Sequence, residues 1–317
     1  MTKVVAGVDI GGTNTIIGLV DKDGTIRAED RLSTTDYPFA DDFVVALDQK
    51  LKEMVEGHGG LTLTGIGIGA PNANFNKGTI ELAPNLRWKG IIPLVKLTER
   101  RTGLKTRITN DANAAALGEM IFGAAKGLKN FIILTLGTGL GSGFVVDGEV
   151  VYGHTGFAGE LGHMTVAEGG RVCGCGRRGC LETYASATGL VRTVLALLSD
   201  RRDESILRDL RSSEITSLRV AEAAAAGDVI ATDALDQTAR MIALGIANAV
   251  IFSSPETIFL FGGLAKAGDA LFEPVRKYAD ELVQPIFRGT FTIMPSGLPE
   301  ASAAILGASA LIWKEAE

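Results

Sequence analysis

A pattern of strand, glycine-rich turn and strand occurs twice in this chain of 317 residues, and it limits the possible folds more than any other feature. The first copy covers residues 4–20 and turns at Gly11-Gly12, whereas the second covers residues 131–146 and turns at residues 137–143. After each copy an Asp-Gly pair predicts a further hairpin. The sequence therefore predicts two halves that each open with a meander of strands.

The rest of the chain alternates between helical and strand-like segments, and its length favours about two domains. Helices are predicted over residues 39–56, 112–122, 185–198, 229–252, 271–282 and 302–314, and strands over residues 63–70, 105–109, 257–261 and 291–294. A polar loop through Asn74, Asn76, Asn85 and Trp88 is expected after the strand that ends at Ala70.

Composition and charge favour a small-molecule partner over nucleic acid or a membrane. The chain has 31 basic and 37 acidic residues, and the net charge of −6 discourages binding to nucleic acid and to anionic lipid. The longest apolar run, residues 131–146, is interrupted by glycine and hydroxyl residues and does not fit a membrane span. Because the start of the chain lacks the features of a signal peptide, a cytoplasmic protein is expected.

The three cysteines of the chain lie close together in sequence and follow a histidine. Cys173, Cys175 and Cys180 fall within eight residues, and the first comes ten positions after His163. Three thiols and one imidazole are a ligand set that suits tetrahedral zinc. A disulfide between Cys180 and one of the other cysteines is the alternative, but a reducing compartment favours metal over disulfide. We therefore predict a structural zinc site.

The glycine turns are candidate phosphate sites. Glycine lets the backbone N–H groups of a turn approach an anion closely, although an ordinary tight hairpin is the alternative. Neither turn is a P-loop, because the chain contains no Gly-x-x-x-x-Gly-Lys-Ser/Thr. Two such turns facing each other would hold the β- and γ-phosphates of a nucleotide. Gly262-Gly263, directly after a predicted strand, suits the approach of an adenine or a ribose.

Several polar residues have both a structural and a functional interpretation. Glu160 and Glu182 flank the predicted zinc ligands, and paired carboxylates accept hydrogen bonds from adjacent sugar hydroxyls, unless both are solvated surface groups. Asn85 is a candidate for hydroxyl recognition or a turn-forming asparagine. Asp111 directly precedes a predicted helix, and the local sequence favours an N-cap role for it.

Taken together, these stretches resemble the ROK family of sugar kinases and regulators, within the actin-like ATPase superfamily. The resemblance is carried by Asp9-Ile-Gly-Gly-Thr-Asn14, Asn110-Asp-Ala-Asn-Ala-Ala-Ala116, Leu136-Gly-Thr-Gly-Leu-Gly141, Gly159-Glu-Leu-Gly-His163, Cys173-x-Cys-Gly-x-x-Gly-Cys-x-Glu182 and Phe261-Gly-Gly263. These motifs span nearly the whole chain. The chain departs from the family at Pro71-Asn72, where many members carry glycine after the proline, and at Leu264, where many carry a third glycine.

The resemblance implies an α/β fold of two ribonuclease-H-like domains, with nucleotide and sugar in the cleft between them. Residues 1–118 and the C-terminal helix, about residues 302–317, would form the smaller lobe. Residues 119–301 would form the larger lobe and carry the structural zinc site.

The resemblance also implies an ATP-dependent hexose kinase, with glucose as the favoured sugar and its 6-hydroxyl as the acceptor. Asp111 would be the general base, and Asp9 the partner of Mg²⁺, directly or through water. His163 would bind both zinc and sugar through its two ring nitrogens. The implied sugar-binding residues are Asn85, Asn110, Asp111, Glu160, His163 and Glu182. The implied ATP-binding residues are Asp9, Gly11, Gly12, Thr13, Asn14, Thr138, Gly139, Gly262 and Gly263.

Three alternatives stay open at this point. Another hexose, such as N-acetylmannosamine, N-acetylglucosamine or fructose, is the nearest. A sugar-sensing regulator of the same family carries a helix-turn-helix ahead of the first glycine turn, and Asp9 leaves no room for one here. The third alternative, a chaperone or filament ATPase of the same superfamily, does not explain the cysteine cluster. The resemblance further implies a homodimer with no nucleic-acid or membrane partner.

Overall fold

A computed structural model describes residues 1–316 and gives an α/β protein with mixed sheets. The strands are β1 (Thr2–Ile10), β2 (Asn14–Asp21), β3 (Ile26–Ser33), β4 (Leu61–Gly69), β5 (Ala73–Asn74), β6 (Thr79–Glu81), β7 (Ile91–Ile92), β8 (Thr106–Thr109), β9 (Phe131–Leu136), β10 (Leu140–Val146), β11 (Glu149–Val150), β12 (Thr257–Phe261) and β13 (Thr292–Pro295). The helices are α1 (Ala40–Gly57), α2 (Leu94–Thr102), α3 (Asp111–Phe122), α4 (Glu182–Ala185), α5 (Ala187–Asp200), α6 (Ser217–Ala225), α7 (Val229–Ser253), α8 (Asp269–Leu282) and α9 (Ala303–Trp313). Short 3-10 helices cover Thr34–Asp36, Leu161–His163, Ile206–Asp209, Gly263–Ala267, Pro285–Phe287 and Lys314–Ala316. Within the described residues, no helix combines the length and the apolar character that a bilayer crossing requires.

The chain forms two compact units, and each contains one five-stranded sheet. The first unit comprises Met1–Leu128, Val150–Ala158 and the chain from Gly297 onward, and the second comprises Lys129–Glu149 and Gly159–Ser296. The strand order is β3-β2-β1-β4-β8 in the first sheet and β11-β10-β9-β12-β13 in the second. In both sheets the central strand pairs antiparallel with its hairpin partner and parallel with its other neighbour. The sequence repeat is therefore present as two sheets of the same strand order.

One edge of the first sheet collects polar residues. Strands β1, β4 and β8 run parallel, so their carboxyl ends lie at the same edge. Asp9 stands at the end of β1, the Gly11-Gly12 turn follows it, and α3 begins with Asp111 directly after β8. Ligand groups of α/β proteins usually lie at such an edge. Buried apolar side chains of β1, β2, β4 and α1 form the core that holds these strands in place.

Helix α9 packs on the first sheet at positions where only glycine fits. A Cβ added at Gly7 would collide with the carbonyl group of Ile305, and one added at Gly67 with that of Ala308. The helix backbone therefore lies directly on the strands. Because α9 also packs closely on α3, it fixes the helix that begins with Asp111.

The first unit extends beyond residue 118, the boundary expected for the smaller lobe. Residues 119–128 belong to it because the Glu119 carboxylate ties the end of α3 to the segment before α9. It accepts hydrogen bonds from the backbone N–H groups of Ala124 at 2.7 Å and Gly297 at 2.8 Å. A contact across so many residues leaves no local pattern in the sequence.

Residues 150–158 also pack within the first unit. The rings of Phe75 and Tyr152 stack with centroids 4.1 Å apart, and Asn74 donates a hydrogen bond to the Thr155 carbonyl at 2.9 Å. The boundaries implied by the family resemblance placed this segment in the larger lobe. Side-chain contacts with β5 place it elsewhere.

The polar loop expected after residue 70 is instead a small antiparallel sheet of β5, β6 and β7, followed by α2. Strands of two or three residues are too short to show an alternating pattern. Before this sheet, Asn72 has a φ of 51° and donates hydrogen bonds to the carbonyls of Glu81 at 3.1 Å and Leu82 at 3.3 Å. Asparagine tolerates this left-handed conformation, so Asn72 adopts a backbone that glycine would also allow.

Helices α4 to α8 belong to the second unit and bury its apolar core against the sheet. Helix α7 is 25 residues long and packs against α5, α6 and α8. Gly245 allows close packing on this helix, because a Cβ there would collide with the Leu181 side chain. Leu181 lies between Cys180 and Glu182, so this contact anchors the start of α4.

Candidate active site

Two carboxylates interact at the carboxyl edge of the first sheet. Burial, and secondly the nearby charge of Asp111, raise the pKa of Asp9 to about 6. The Asp9 side chain accepts no hydrogen bond within residues 1–316. A partly buried carboxylate without a protein partner is suited to bind a cation.

Asp111 is not the N-cap of α3. The cap is Asn110, whose side-chain oxygen accepts a hydrogen bond from the Asn113 N–H at 2.7 Å. The Asp111 carboxylate accepts one from the adjacent N–H of Ala112 at 2.9 Å, and the residue keeps exposed surface although protein atoms surround it densely. This crowding removes hydration and raises the pKa of Asp111, while the Ala112 N–H acts in the opposite direction. An accessible carboxylate with a raised pKa suits proton acceptance.

The first glycine turn offers two free amides. The Gly11 N–H donates to the Asn14 carbonyl at 2.9 Å and so closes the turn instead of pointing to a ligand. The N–H groups of Gly12 and Thr13 donate to no acceptor in the described part of the chain. A Cβ at Gly12 would lie 2.6 Å from the carbonyl oxygen of Asn85, so glycine here lets the turn pack on the loop that carries Asn85.

The Asn85 side chain is available for a ligand. It is exposed and makes no hydrogen bond within residues 1–316, so it does not stabilise its turn in the way the structural alternative requires. Its loop is anchored by neighbours: Leu86 is buried, and the Trp88 indole N–H donates to the Tyr37 carbonyl at 3.0 Å. The loop therefore holds its position without the Asn85 amide.

The second glycine turn repeats this arrangement within the second unit. The Gly137 N–H donates to the Gly139 carbonyl at 3.1 Å and closes the turn. The N–H groups of Thr138 and Gly139 have no acceptor among the residues that the structure describes. Each turn thus presents two adjacent unbonded amides, which is the arrangement of an anion-binding nest.

Gly262 and Gly263 lie beside the second glycine turn. Gly262 has a φ of 103°, and a Cβ there would lie 2.9 Å from the carbonyl oxygen of Leu136, the residue before the turn. Gly263 faces open space. Leu264, which replaces a glycine of many family members, is buried in the core. A flat ligand can therefore approach the backbone at Gly263 without meeting Leu264.

The cysteine cluster has the geometry of a tetrahedral site. One ligand atom from each of His163, Cys173, Cys175 and Cys180 lies within 4.8 Å of all the others. The sulfurs of Cys175 and Cys180 are 3.7 Å apart, and the Cys173 sulfur is 3.6 Å from His163 Nδ1. The edges of a tetrahedral zinc site are about 3.8 Å between two sulfurs and about 3.6 Å between sulfur and nitrogen. The cysteines are unpaired, so the disulfide alternative is not what the structure contains.

Burial makes the thiolate forms of Cys173 and Cys180 costly when no cation is near. It raises the pKa of Cys173 to about 12 and also raises that of Cys180. The exposed Cys175 differs, because the backbone N–H of Arg177 lowers its pKa. A divalent cation would stabilise all three thiolates.

Glu160, His163 and Glu182 lie together next to this cluster. His163 Nε2 is 4.0 Å from a carboxylate oxygen of Glu160, and His163 Nδ1 is 3.9 Å from one of Glu182. The half of the ring that faces away from Cys173 thus lies near Glu160. All three side chains keep solvent access, so they can reach the hydroxyls of a bound molecule.

One residue that positions this group was not identified from the sequence. Ser142, buried on β10, donates a hydrogen bond to the Gly159 carbonyl and accepts one from the Leu161 N–H at 3.1 Å. It therefore holds both neighbours of Glu160. The only available signal was a hydroxyl between Gly141 and Gly143 in a buried strand, and this pattern has no specific meaning alone.

Comparisons with known proteins agree on one family. The sequence model of the ROK family matches residues 5–315. A glucokinase of Halalkalibacterium halodurans is 37% identical over 284 residues, which cover 88% of this chain and 86% of that protein. The crystal structure of a ROK family glucokinase from Streptomyces griseus in complex with glucose and AMPPNP is similar, with a TM-score of 0.79, 34% identity and coverage of 97% of this chain and 98% of that one.

A regulator is also similar in structure. A ROK family transcriptional regulator, a homolog of the E. coli MLC protein, has a TM-score of 0.87 and 27% identity, and the match covers 99% of this chain but 78% of the regulator. The family match extends over nearly the whole sequence and includes both glycine turns, Asp111 and the cysteine cluster. This chain therefore belongs to the ROK family.

Proposed function

We propose that this protein is an ATP-dependent glucokinase, which transfers the γ-phosphoryl group of ATP to the 6-hydroxyl of glucose. The similar glucokinases support a sugar kinase with glucose as its substrate. The structural observation that carries the proposal is the Asp111 carboxylate. It is accessible, it is free of the capping role, and it lies beside Asp9 and the free amides at the edge of the first sheet.

Asp111 is the general base of the proposed reaction. The oxygen of the sugar 6-hydroxyl forms a bond to the γ-phosphorus, and the hydroxyl proton goes to the Asp111 carboxylate. The bond between the γ-phosphorus and the β–γ bridging oxygen breaks, and ADP leaves with that electron pair. Because phosphoryl transfer has a loose transition state, a well-placed carboxylate is sufficient as the base.

The two glycine turns hold the phosphates of ATP in this proposal. Gly12 and Thr13 from the first unit, and Thr138 and Gly139 from the second, have free amides that support this role. Gly11 and Asn14 contribute by closing the first turn. Gly262 and Gly263 are proposed to lie against the nucleoside. Gly262 allows the backbone its positive φ, and Gly263 faces open space that a ligand can occupy.

Asp9 is the proposed partner of Mg²⁺, directly or through water. The ion neutralises charge on the phosphates when it is bound with ATP. Asp9 fits this role because its carboxylate has no hydrogen-bond partner within the described chain. Its raised pKa shows that the ionised form is costly without a cation nearby.

The proposed sugar-binding residues are Asn85, Asn110, Asp111, Glu160, His163 and Glu182. Asn85 and Asn110 supply amides from the first unit, where the side-chain oxygen of Asn110 is occupied by its capping bond and its NH₂ group donates. Glu160, His163 and Glu182 supply hydrogen-bonding groups from the second unit. Two carboxylates accept hydrogen bonds from neighbouring hydroxyls, which suits the ring of a hexose.

A structural zinc ion is proposed at His163, Cys173, Cys175 and Cys180. The distances between the ligand atoms and the buried thiols support it. His163 binds the ion through Nδ1, and its Nε2 is then left for the sugar. The ion fixes the loop between His163 and Glu182 and does not touch the reacting atoms.

Three broader expectations also stay proposals. Each unit has ribonuclease-H-like topology, which the shared strand order of the two sheets supports. The smaller lobe is proposed to be residues 1–118 with the C-terminal helix, extended by residues 119–128 and 150–158 that pack with them, and the larger lobe the rest of residues 119–301. The protein is a homodimer, and light scattering during gel filtration tests this statement.

A sugar-sensing regulator without turnover is the second candidate, because a ROK regulator has a high structural similarity to this chain. The identity to the glucokinases is higher, and it favours the kinase. The two candidates differ in one measurable property, because only the kinase converts ATP to ADP when sugar is present.

The deciding experiment measures ADP production from Mg-ATP with glucose, fructose, mannose, N-acetylglucosamine and N-acetylmannosamine. We expect turnover to be highest with glucose and to fall by at least about a hundredfold in Asp111→Asn, as loss of a general base does. Turnover that is highest with another hexose would correct the substrate. Sugar binding by calorimetry without turnover would overturn the kinase and support the regulator.

A further inference from the structure

The start of α5 is bonded to the second glycine turn. The backbone N–H of Ala187 donates to the Gly137 carbonyl at 2.9 Å, and the Thr188 hydroxyl donates to the Thr138 carbonyl at 2.6 Å. These bonds join residues that are about 50 positions apart in sequence. Two consecutive carbonyls of the turn are therefore held by two consecutive residues of the helix.

Holding these carbonyls also fixes the direction of two amides. In a trans peptide the C=O and the N–H point in opposite directions within one plane. A fixed Gly137 carbonyl therefore turns the Thr138 N–H away from α5, and a fixed Thr138 carbonyl does the same for the Gly139 N–H. Neither N–H has an acceptor within residues 1–316, so both are presented together on the opposite side of the turn.

The first turn of α5 is itself rigid. Its N-cap, Ser186, is completely buried, accepts a hydrogen bond from the Gly189 N–H at 3.0 Å and donates one to the Glu182 carbonyl at 2.7 Å. Thr188 therefore lies in a helical turn whose N-cap is hydrogen-bonded both to the helix and to the Glu182 carbonyl. The Thr188 side chain is exposed, and its hydroxyl lies 3.1 Å from the Ser186 hydroxyl as well as 2.6 Å from the Thr138 carbonyl, so hydrogen bonds and not packing fix its position.

We infer that Thr188 is a positioning residue for phosphate binding by the second glycine turn. Its hydroxyl orients the peptide between Thr138 and Gly139, so that the Gly139 amide is aligned for the terminal phosphates of a nucleotide. This inference rests on the proposed function, but it concerns nucleotide binding alone. Thr188 does not touch the ligand, and it acts through the backbone of the turn.

The test replaces the hydroxyl by a methyl group of the same shape. In Thr188→Val, we expect the Kd for MgADP and the KM for ATP to rise roughly three- to tenfold, the range that loss of one hydrogen bond of ordinary strength gives. The Kd for glucose, measured by calorimetry without nucleotide, should change less than about twofold, since the Ala187 and Leu140 bonds remain. Thr188→Ser keeps the hydroxyl and should restore the values of the native protein.

A matched control is available on α7. Thr232 is also exposed and donates its hydroxyl to a backbone carbonyl, that of Asp228 at 2.8 Å, but its bond stays within the first turn of α7. Thr232→Val should leave MgADP binding unchanged. If Thr188→Val does not fold, Thr188→Ala removes the same hydroxyl with less bulk. The same rise in the Kd for MgADP is then expected.

The outcomes separate this inference from the proposed function. Native protein that phosphorylates glucose, together with a Thr188→Val variant of unchanged MgADP affinity, would overturn the role of Thr188 alone. Weakened MgADP binding in the variant, with no turnover of any sugar by the native protein, would support Thr188 and overturn the kinase. Native protein that binds no MgADP would overturn both.

Discussion

The carboxylate of Glu182 accepts a hydrogen bond from the backbone N–H of Leu140 at 3.3 Å. Leu140 is the first residue of β10, which begins within the predicted turn of residues 137–143 and directly follows Gly139. The other oxygen of Glu182 lies 3.1 Å from the Cys173 sulfur. Glu182, a proposed sugar-binding residue, therefore contacts both the end of the second glycine turn and Cys173, a proposed zinc ligand. A change in the turn that moves the Glu182 carboxylate should therefore weaken sugar binding.

Gly139→Ala tests this link. The new Cβ would lie 2.6 Å from the nearest carboxylate oxygen of Glu182, so the carboxylate must move. We expect the Kd for glucose, measured without nucleotide, to rise roughly tenfold, as a steric cost of one to two kcal/mol gives. Calorimetry on the apo protein measures it directly.

Gly137→Ala is the control, because a Cβ at Gly137 meets nothing within 4 Å. It changes the same turn and adds the same methyl group, and it should leave the Kd for glucose unchanged. An equal rise of the glucose Kd in both variants would mean that general flexibility of the turn, and not the position of Glu182, controls sugar binding.

The pH dependence of the reaction should show the raised carboxyl pKa values. Burial raises the pKa of Asp9 to about 6, and burial also raises that of Asp111. A carboxyl group whose pKa is raised loses its charge at a higher pH, so the base and the Mg²⁺ partner are lost as the pH falls. We expect kcat/KM for ATP to be constant above about pH 7 and to fall at least tenfold per unit below about pH 6.

The profile is measured with saturating glucose and Mg²⁺ and corrected for the protonation of ATP itself. A rate that stays constant down to about pH 5 would contradict the raised pKa values, because ordinary carboxylates remain ionised there.

Asp9 should also reduce the stability of the ligand-free protein at neutral pH. Its pKa is about 6 in the folded state against an ordinary value of 3.8, so the folded state prefers the protonated form. The resulting cost is small below about pH 4, grows as the pH rises to about 6 and is constant above, with a size on the order of 1 to 3 kcal/mol. Asp9→Asn removes this cost, so its Tm at pH 8 should exceed that of the native protein by a few degrees.

The same comparison at about pH 4 should show a much smaller difference, because Asp9 is then protonated in the folded state and about half protonated in the unfolded state. Asp23→Asn serves as a control, since Asp23 is an exposed residue of a hairpin turn that asparagine suits equally well. A gain in Tm that is the same at both pH values would exclude the carboxylate charge as its cause.

Local patterns made much of this site predictable. Glycine between two apolar strands marks a turn wherever it occurs, so Gly12 and Gly139 could be identified without a structure. The spacing of the three cysteines and His163 is by itself enough to predict a metal site. The helix start at Asp111 was found within one residue, but its cap is Asn110, because two adjacent polar residues can both cap and only geometry decides.

Contacts between distant segments were not predictable. Ser142 holds the neighbours of Glu160, and Thr188 holds the Thr138 carbonyl, yet each is an ordinary hydroxyl residue in sequence. Their roles depend on which backbone groups the fold brings near them. The sheet of β5 to β7 was missed for a related reason, since its strands are fixed by partners and are too short for a pattern.

Metal removal should destabilise the second unit. Zinc is expected at about one ion per chain in protein purified without chelator. Because Cys175 is exposed, Cys175→Ser removes a ligand with little loss of packing, and any large fall in Tm must come from the metal. We expect this variant to lose zinc and to bind glucose roughly ten- to a hundredfold more weakly, as His163 and Glu182 lose their fixed positions.

Chelation separates the metal from the side chain. After both proteins are stripped of metal, Cys175→Ser and native protein should have the same Tm, because the only difference between them was the ligand. Glu168→Gln, an exposed change in the same loop, should keep both zinc and the native Tm. Native protein that contains no metal, or a Cys175→Ser variant whose Tm is lower than that of stripped native protein, would contradict a zinc site at this cluster.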